Sequence, residues 1–128
     1  MIILDHNIHE DQAEQLRQRR IHVRQIGFEV GRPEWDDQQE ILRFLHASKQ
    51  ITFFTRDLGF FRARLCHTNY CLVVLSVPVL ETAYYIRRVL RHPSFKTRVK
   101  RNGKVMKVST ERITLWEIGR QRRTTTRW

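Results

Sequence analysis

Residues 51–61 read ITFFTRDLGFF, an apolar run broken by one arginine and one aspartate and then resumed. Burying an unpaired charge costs roughly several kcal/mol, so a carboxylate at Asp57 needs compensation if it lies in a core. The opening of the chain has the same grammar: residues 1–7 read MIILDHN, an apolar stretch ending on Asp5. Both stretches are predicted to be strands, at residues 1–4 and 51–54, each delivering an acid just past its end.

Working outward, residues 8–20 carry Ile8, Ala13 and Leu16 among charged neighbours, which predicts a helix, and IHVRQI at residues 21–26 predicts a second strand. The Gly and Pro content of residues 27–35, GFEVGRPEW, marks a loop. A helix is expected over residues 36–48, with Ile41, Leu42, Phe44 and Leu45 on its apolar face, and a short helix over residues 58–66. CLVVLSV at residues 71–77 is the most apolar strand. Pro78 then opens a helix in which Val79, Ala83, Ile86 and Leu90 form one stripe and Arg87, Arg88 and Arg91 lie away from it. Beyond HPSF the pattern changes: KVMKV, a turn at STE and RITLWEI predict an antiparallel hairpin, and RQRRTTTRW at residues 120–128 reads as a polar, mobile tail.

Strands alternating with helices imply an α/β fold: a three-layer α/β/α sandwich around a mostly parallel sheet, with the hairpin added at the C-terminal side. The 128 residues are expected to form one domain, its core at about 1–92, a basic extension at about 93–119 and the tail after it. In such sheets ligands bind outside the carboxyl ends of the strands, which is where Asp5 and Asp57 fall.

Charge is sorted along the chain. Residues 1–60 hold 8 Lys/Arg and 10 Asp/Glu, net −2, whereas residues 61–128 hold 16 and 3, net +13. That excess is more than solubility requires and favours a polyanion, nucleic acid first, over an anionic membrane or an acidic protein. No apolar run approaches the ~20 residues of a spanning helix, and MIILDHN lacks a basic leader and a long apolar segment, so the expectation is a cytoplasmic protein without membrane spans. Cys66 and Cys71 offer too few ligands for a structural zinc and are read as buried or half-buried thiols.

If the first and third strands are neighbours, Asp5 and Asp57 can reach one ion, since adjacent strands lie ~4.8 Å apart. A hard divalent cation, Mg²⁺ or Mn²⁺, would relieve their repulsion. The bland alternative makes Asp5 a helix cap and pairs Asp57 with Arg56 or Arg24. In WDDQQEIL, Asp37 and Glu40 have capping-box spacing, as do Asn7 and Glu10. Glu40, or failing it Asp37, is a further candidate acid, with Asp36 the weaker one. On the binding side Arg56, Arg87, Arg88, Arg91, Lys100 and Arg101 are candidates for RNA phosphates. Tyr84, Tyr85, Phe95 and Trp116 could stack bases or be core.

Taken together, MIILDHN, a helix, IHVRQIG, DDQQEIL and ITFFTRDLGFF resemble the PIN-like domain family, in particular its small prokaryotic members with Asp-x-Asn after the first strand and Thr-Arg-Asp after the third. The resemblance covers about the first two thirds of the chain. It implies a ribonuclease that uses Mg²⁺ or Mn²⁺, with Asp5 and Asp57 as metal ligands, Glu40 or Asp37 as the helix acid and Asn7 as a polar neighbour. Many relatives are the toxin of a toxin–antitoxin pair, which makes a cognate antitoxin an expected partner beside RNA. Gly59 stands where many relatives place another acid.

Two further classes compete with the nuclease. One is an RNA-binding or partner-binding PIN-like module without catalysis. The other is a phosphoacceptor receiver domain, with Ser76 as the hydroxyl after the fourth strand; against it stand the single acid in DHN and the lack of a fifth parallel strand followed by lysine and proline. The hairpin is open to three roles: RNA binding, cover for a sheet edge, or a homodimer contact.

Overall fold

The computed structural model describes residues 1–35 and 38–128. Seven strands form one sheet: β1 (Ile2–Leu4), β2 (Val23–Gln25), β3 (Ile51–Thr55), β4 (Tyr70–Ser76), β5 (Lys104–Ser109), β6 (Arg112–Glu117) and β7 (Thr124–Arg127). Their order is β2-β1-β3-β4-β5-β6-β7. The first five run parallel, and β6 and β7 each pair antiparallel with the strand before. Helices α1 (Glu10–Gln18), α2 (Gln38–Ala47), α3 (Thr82–Arg91) and the single turn α4 (Arg98–Arg101) complete the described elements. The fold is therefore α/β with a mixed sheet, and β1 and β3 are neighbours.

Apolar residues pack on both faces of the sheet. On one, Leu4, Phe54, Val73 and Met106 share a cluster with Ala13 and Leu16 of α1 and with Ala83, Ile86 and Val89 of α3. On the other, Ile3, Phe53, Leu72 and Val105 cluster with Ile41 and Leu45 of α2. Strands covered on both sides must be apolar at successive positions, which is why β3 is buried throughout. Gln12 of α1 is buried too, and its Oε1 accepts a 2.8 Å hydrogen bond from the Ala83 backbone N–H, tying α1 to the first turn of α3. Among the described residues no helix is long and apolar enough to cross a membrane.

Several expectations are corrected. Residues 58–66 form two 3₁₀ turns, Leu58–Phe60 and Ala63–Leu65, because Arg62 between them is extended at φ −139°. Val79 lies in a 3₁₀ turn, whose pitch does not continue the stripe of α3, and it stays exposed. Most consequential, β5 pairs in parallel with β4, so a fifth parallel strand exists and the sheet continues well past residue 92. Residues 120–128 are not a loose tail: β7 pairs with β6 in register Thr114↔Thr125. Trp128 docks behind it, donating from Nε1 to the Ser109 carbonyl at 2.8 Å, with the Arg88 guanidinium 4.3 Å from its ring centroid.

Both cysteines are free, Cys71 buried and Cys66 half-buried. Arg101 is buried and has no carboxylate partner among the described residues; its Nε donates to Thr52 Oγ1 at 2.9 Å and its Nη1 to the Phe95 carbonyl at 2.9 Å. Burial, with Arg98 adding to it, lowers the Arg101 pKa.

Trp128→Ala is expected to lower stability by about 2 kcal/mol in urea unfolding, through lost packing and one lost hydrogen bond. A mobile terminus would lose nothing. Burial pushes the Cys71 thiol up to about 12 and the Tyr70 hydroxyl likewise up to about 12. Both groups release protons earlier in the unfolded chain, so full stability holds below pH ~9 and declines as pH rises toward ~12. Cys71 alone should cost about 1.4 kcal/mol at pH 10, a loss that urea unfolding at pH 8 and pH 10 would show and Cys71→Ala would remove.

Candidate functional site

The strand order reverses between β1 and β3: β2 adds to one side of β1 and β3 to the other. Asp5 follows β1 at that point, and its backbone N–H donates to the Phe54 carbonyl of β3 at 2.9 Å. The Asp5 side chain is 2% exposed. Its Oδ1 accepts from the His6 backbone N–H at 2.8 Å, with His6 Nδ1 also at 2.8 Å. Its Oδ2 accepts from the Thr55 hydroxyl at 2.7 Å and from Asn7 Nδ2 at 3.2 Å. A buried carboxylate with this many donors is satisfied by hydrogen bonds.

Thr55 and Asn7 lock the two strand ends together. Asn7 Nδ2 also reaches Thr55 Oγ1 at 3.2 Å, while Asn7 Oδ1 accepts from the Arg56 N–H at 3.2 Å. Thr55 Oγ1 in turn accepts from the Asp57 N–H at 3.1 Å. From β2, Gln25 Nε2 donates to the carbonyls of Asp5 and Ile8 at 3.1 and 2.7 Å, closing the other side. Asn7 is thus spent on this clasp and does not form a capping box with Glu10; the cap of α1 is His9, without a side-chain bond.

Asp57 is exposed, which dissolves the apparent conflict of a charge in an apolar run. It caps the following 3₁₀ turn, its Oδ1 accepting from the Gly59 N–H at 2.8 Å. It pairs with neither Arg56, which donates to Thr82 Oγ1 at 3.2 Å, nor Arg24. A Cβ on Gly59 would come within 3.0 Å of Gln38 Nε2 and 3.1 Å of Asp57 Oδ1, so the first residue of α2 leans over this position.

That placement decides Glu40. Residues two apart on a helix point about 200° from one another, so with Gln38 toward Asp57, Glu40 faces elsewhere. It lines an outer groove with Arg32, Trp35 and Arg43. Among the described residues no three His, Cys, Asp or Glu side chains form a group able to hold a metal. Asp36 and Asp37 lie outside the described residues.

The six candidate phosphate-binding residues do not form one patch. Arg87 and Arg91 share a groove of about 570 Å³ with Arg19 and Arg20, at the ends of α3 and α1 and so at the opposite edge of the sheet from Asp5. Partial desolvation, then Arg19 and Arg91, lower the Arg87 pKa. Arg88 is stacked on Trp128, Lys100 donates to the Pro93 carbonyl at 2.7 Å, and Arg101 is buried. Only Arg56 lies beside Asp57. Of the aromatics, Phe95 and Tyr85 are core, Trp116 packs against the core and Tyr84 is exposed.

Sequence reasoning passed over His6, Thr55, Gln25 and Gln38 as separate contributors. The available signal was a polar residue at a strand position whose neighbours are all apolar, as at Thr55, or an uncharged amide where alternation demands burial, as at Gln25. A comparison with protein families, with curated proteins and with solved structures finds no match in any of the three.

Thr55→Val should cost about 2–3 kcal/mol in chemical denaturation, since it removes one donor from a buried carboxylate and the acceptor for the Asp57 N–H. Thr55→Ser, which keeps the hydroxyl, should cost about 1 kcal/mol.

Proposed function

We propose that the chain is a metal-dependent ribonuclease with a three-layer PIN-like fold, acting through Asp5 and Asp57. The observation that supports it best is the placement of these two acids just past the ends of neighbouring parallel strands, at the strand-order reversal where ligands of open α/β sheets bind, in a chain of net charge +11.

The residues fit a Mg²⁺ or Mn²⁺ ion in kind. The side-chain donors at this edge are mostly hard oxygens, and Mg²⁺ is commonly held by one or two carboxylates completed by waters and substrate phosphates. Asp57 has its Oδ2 open to such a ligand, while Asp5 would exchange one of its present donors. When bound, the ion would polarise the scissile phosphate and lower the pKa of an attacking water. The chain's own part is positional. Thr55 and Asn7 fix Asp5, the Gly59 N–H fixes Asp57, and Arg56 supplies a cation beside the phosphate. A role as the toxin of a toxin–antitoxin pair, with its antitoxin, rests on the sequence resemblance.

The saturation of Asp5 favours a second reading, an RNA-binding module in which Asp5 is structural. A receiver domain is less favoured: β5 supplies the fifth parallel strand, but Thr110 and Glu111 follow it in place of a lysine and proline.

Labelled RNA incubated with Mn²⁺ or Mg²⁺ should be cut, and EDTA should abolish cutting. Asp57→Asn is the cleaner variant, because its side chain is exposed and the fold does not depend on its charge. It is expected to lower the rate by about 10²-fold or more while melting like the parent. Cleavage unchanged in both Asp57→Asn and Asp5→Asn would overturn the assignment to these acids, and binding without any cleavage by the parent would leave the binding module as the better account.

A further inference from the structure

The parallel part of the sheet is covered on both faces, but the chain supplies no helix after α4, and β5, β6 and β7 follow one another through short connections. One face of this extension is apolar: Met106, Val108, Ile113 and Leu115 belong to the cluster shared with α3. The other face changes character along the strands. Registers Leu72↔Val105 and Val105↔Trp116 begin it as apolar. The next row runs Val74, Lys107, Thr114, Thr125, and the last row, at the edge that carries Asp57, runs Ser76, Ser109, Arg112, Arg127.

Arg112 and Arg127 are cross-strand partners, an arrangement of like charges that costs stability unless something anionic lies over it. The acid that lines the concavity over these rows is Glu111, an exposed neighbour of Arg112 at 3.3 Å, and such a pair contributes little. Lys107 lies with Nζ 5.2 Å from the Phe61 ring centroid, and Arg123 is exposed. Together Ser76, Lys107, Arg112, Thr114, Arg123 and Thr125 line a concavity of about 480 Å³. A second concavity of about 410 Å³, lined by Arg56, Leu58 and Ser76, adjoins it through Ser76. The surface therefore runs without a break from the residues flanking Asp57 to β7, about four strand spacings or 19 Å.

Three of the four arginines at the opposite edge have another explanation. Arg19, Arg20 and Arg91 stand at the C-terminal ends of α1 and α3, where cations complement the helix dipoles. The cations on β5–β7 have no helix end to complement.

We propose that this open face of β5–β7 is the binding platform for the sugar-phosphate backbone of single-stranded RNA, leading the strand across Ser76 to Asp57. Arginines and a lysine meet phosphates, and the threonine and serine hydroxyls between them can donate to phosphate and ribose oxygens. The inference rests on the ribonuclease reading for its direction toward Asp57, but the platform binds with or without cleavage.

Binding of a fluorescein-labelled oligouridylate of about a dozen nucleotides, followed by anisotropy on the Asp57→Asn protein, tests it. Arg112→Gln/Arg123→Gln removes two exposed charges and should weaken binding about 25-fold at 0.1 M salt, with the log–log salt slope reduced by about 1.4. The equal-charge control Arg19→Gln/Arg20→Gln at the opposite edge should stay within about threefold. Equal losses in the two variants, or no loss in the platform variant, would overturn the platform, as would competition by oligoglutamate as effective as that by RNA, which would point to an acidic protein. RNA cleavage by the parent chain is scored separately. If it is absent while the platform variant still loses binding, the ribonuclease reading falls and the platform stands.

Discussion

One buried hydroxyl holds the C-terminal edge of the sheet together. Thr55 Oγ1 donates to Asp5 at 2.7 Å, accepts from the Asp57 N–H, and meets the Asn7 amide. It joins the ends of β1 and β3, the two strands between which the sheet changes direction of growth. Without it a carboxylate that is 2% exposed would be short of a donor in a region of low dielectric. The same hydroxyl sets where Asp57 leaves the strand, so the position of the exposed acid depends on how the buried one is satisfied. The two aspartates are therefore not equivalent: one belongs to the fold, and the other is presented by it.

The rest of the architecture follows from how each part of the sheet is covered. Between β2 and β4 both faces are sealed, by α1 and α3 on one side and by α2 with the Phe60 turn on the other. Sealing requires buried polar groups to be answered internally, and Gln12, Gln25 and Arg101 each donate to or accept from backbone groups of another element. Past the covered row of Val105 and Trp116, the extension from β5 to β7 is sealed on one face only. There it can carry Lys, Arg and Thr on the other face at little desolvation cost, and the sequence places them there by alternation.

The strands at the first motif were legible because two apolar runs each ended on an acid; that they are neighbours came from the structure. A near-continuous apolar run likewise identified β4, and the change of pattern at KVMKV identified the first hairpin strand. What escaped reading has particular causes. RQRRTTTRW has no apolar residue before its last, yet β7 needs none, since it pairs at the edge with one face to solvent and is anchored by Trp128. That β5 would pair with β4 could not be read from KVMKV, because parallel pairing leaves no local turn signal. Glu40 stood out as an acid at the start of α2, but it is Gln38 of that helix that reaches the Gly59 position beside Asp57. The candidate site was thus half legible: the strand-end acids were, while the donors that hold them were not, being polar residues whose role appears only when the strands are side by side.

Gly59 ties these threads. A side chain there would meet Asp57 Oδ1 at 3.1 Å and the Gln38 amide at 3.0 Å. An acid at that position would face Asp57 at a distance where two carboxylates repel strongly unless a cation or a proton lies between them. With glycine in place, Asp57 is steadied by a neutral backbone donor and by no second charge, and an uncharged amide closes over it. On the proposed reading, the described residues at this edge would offer a divalent cation two carboxylates, Asp5 and Asp57, and no third. Any second ion would have to be held by carboxylates beyond this pair and by the RNA phosphates that the basic sheet face would bring alongside.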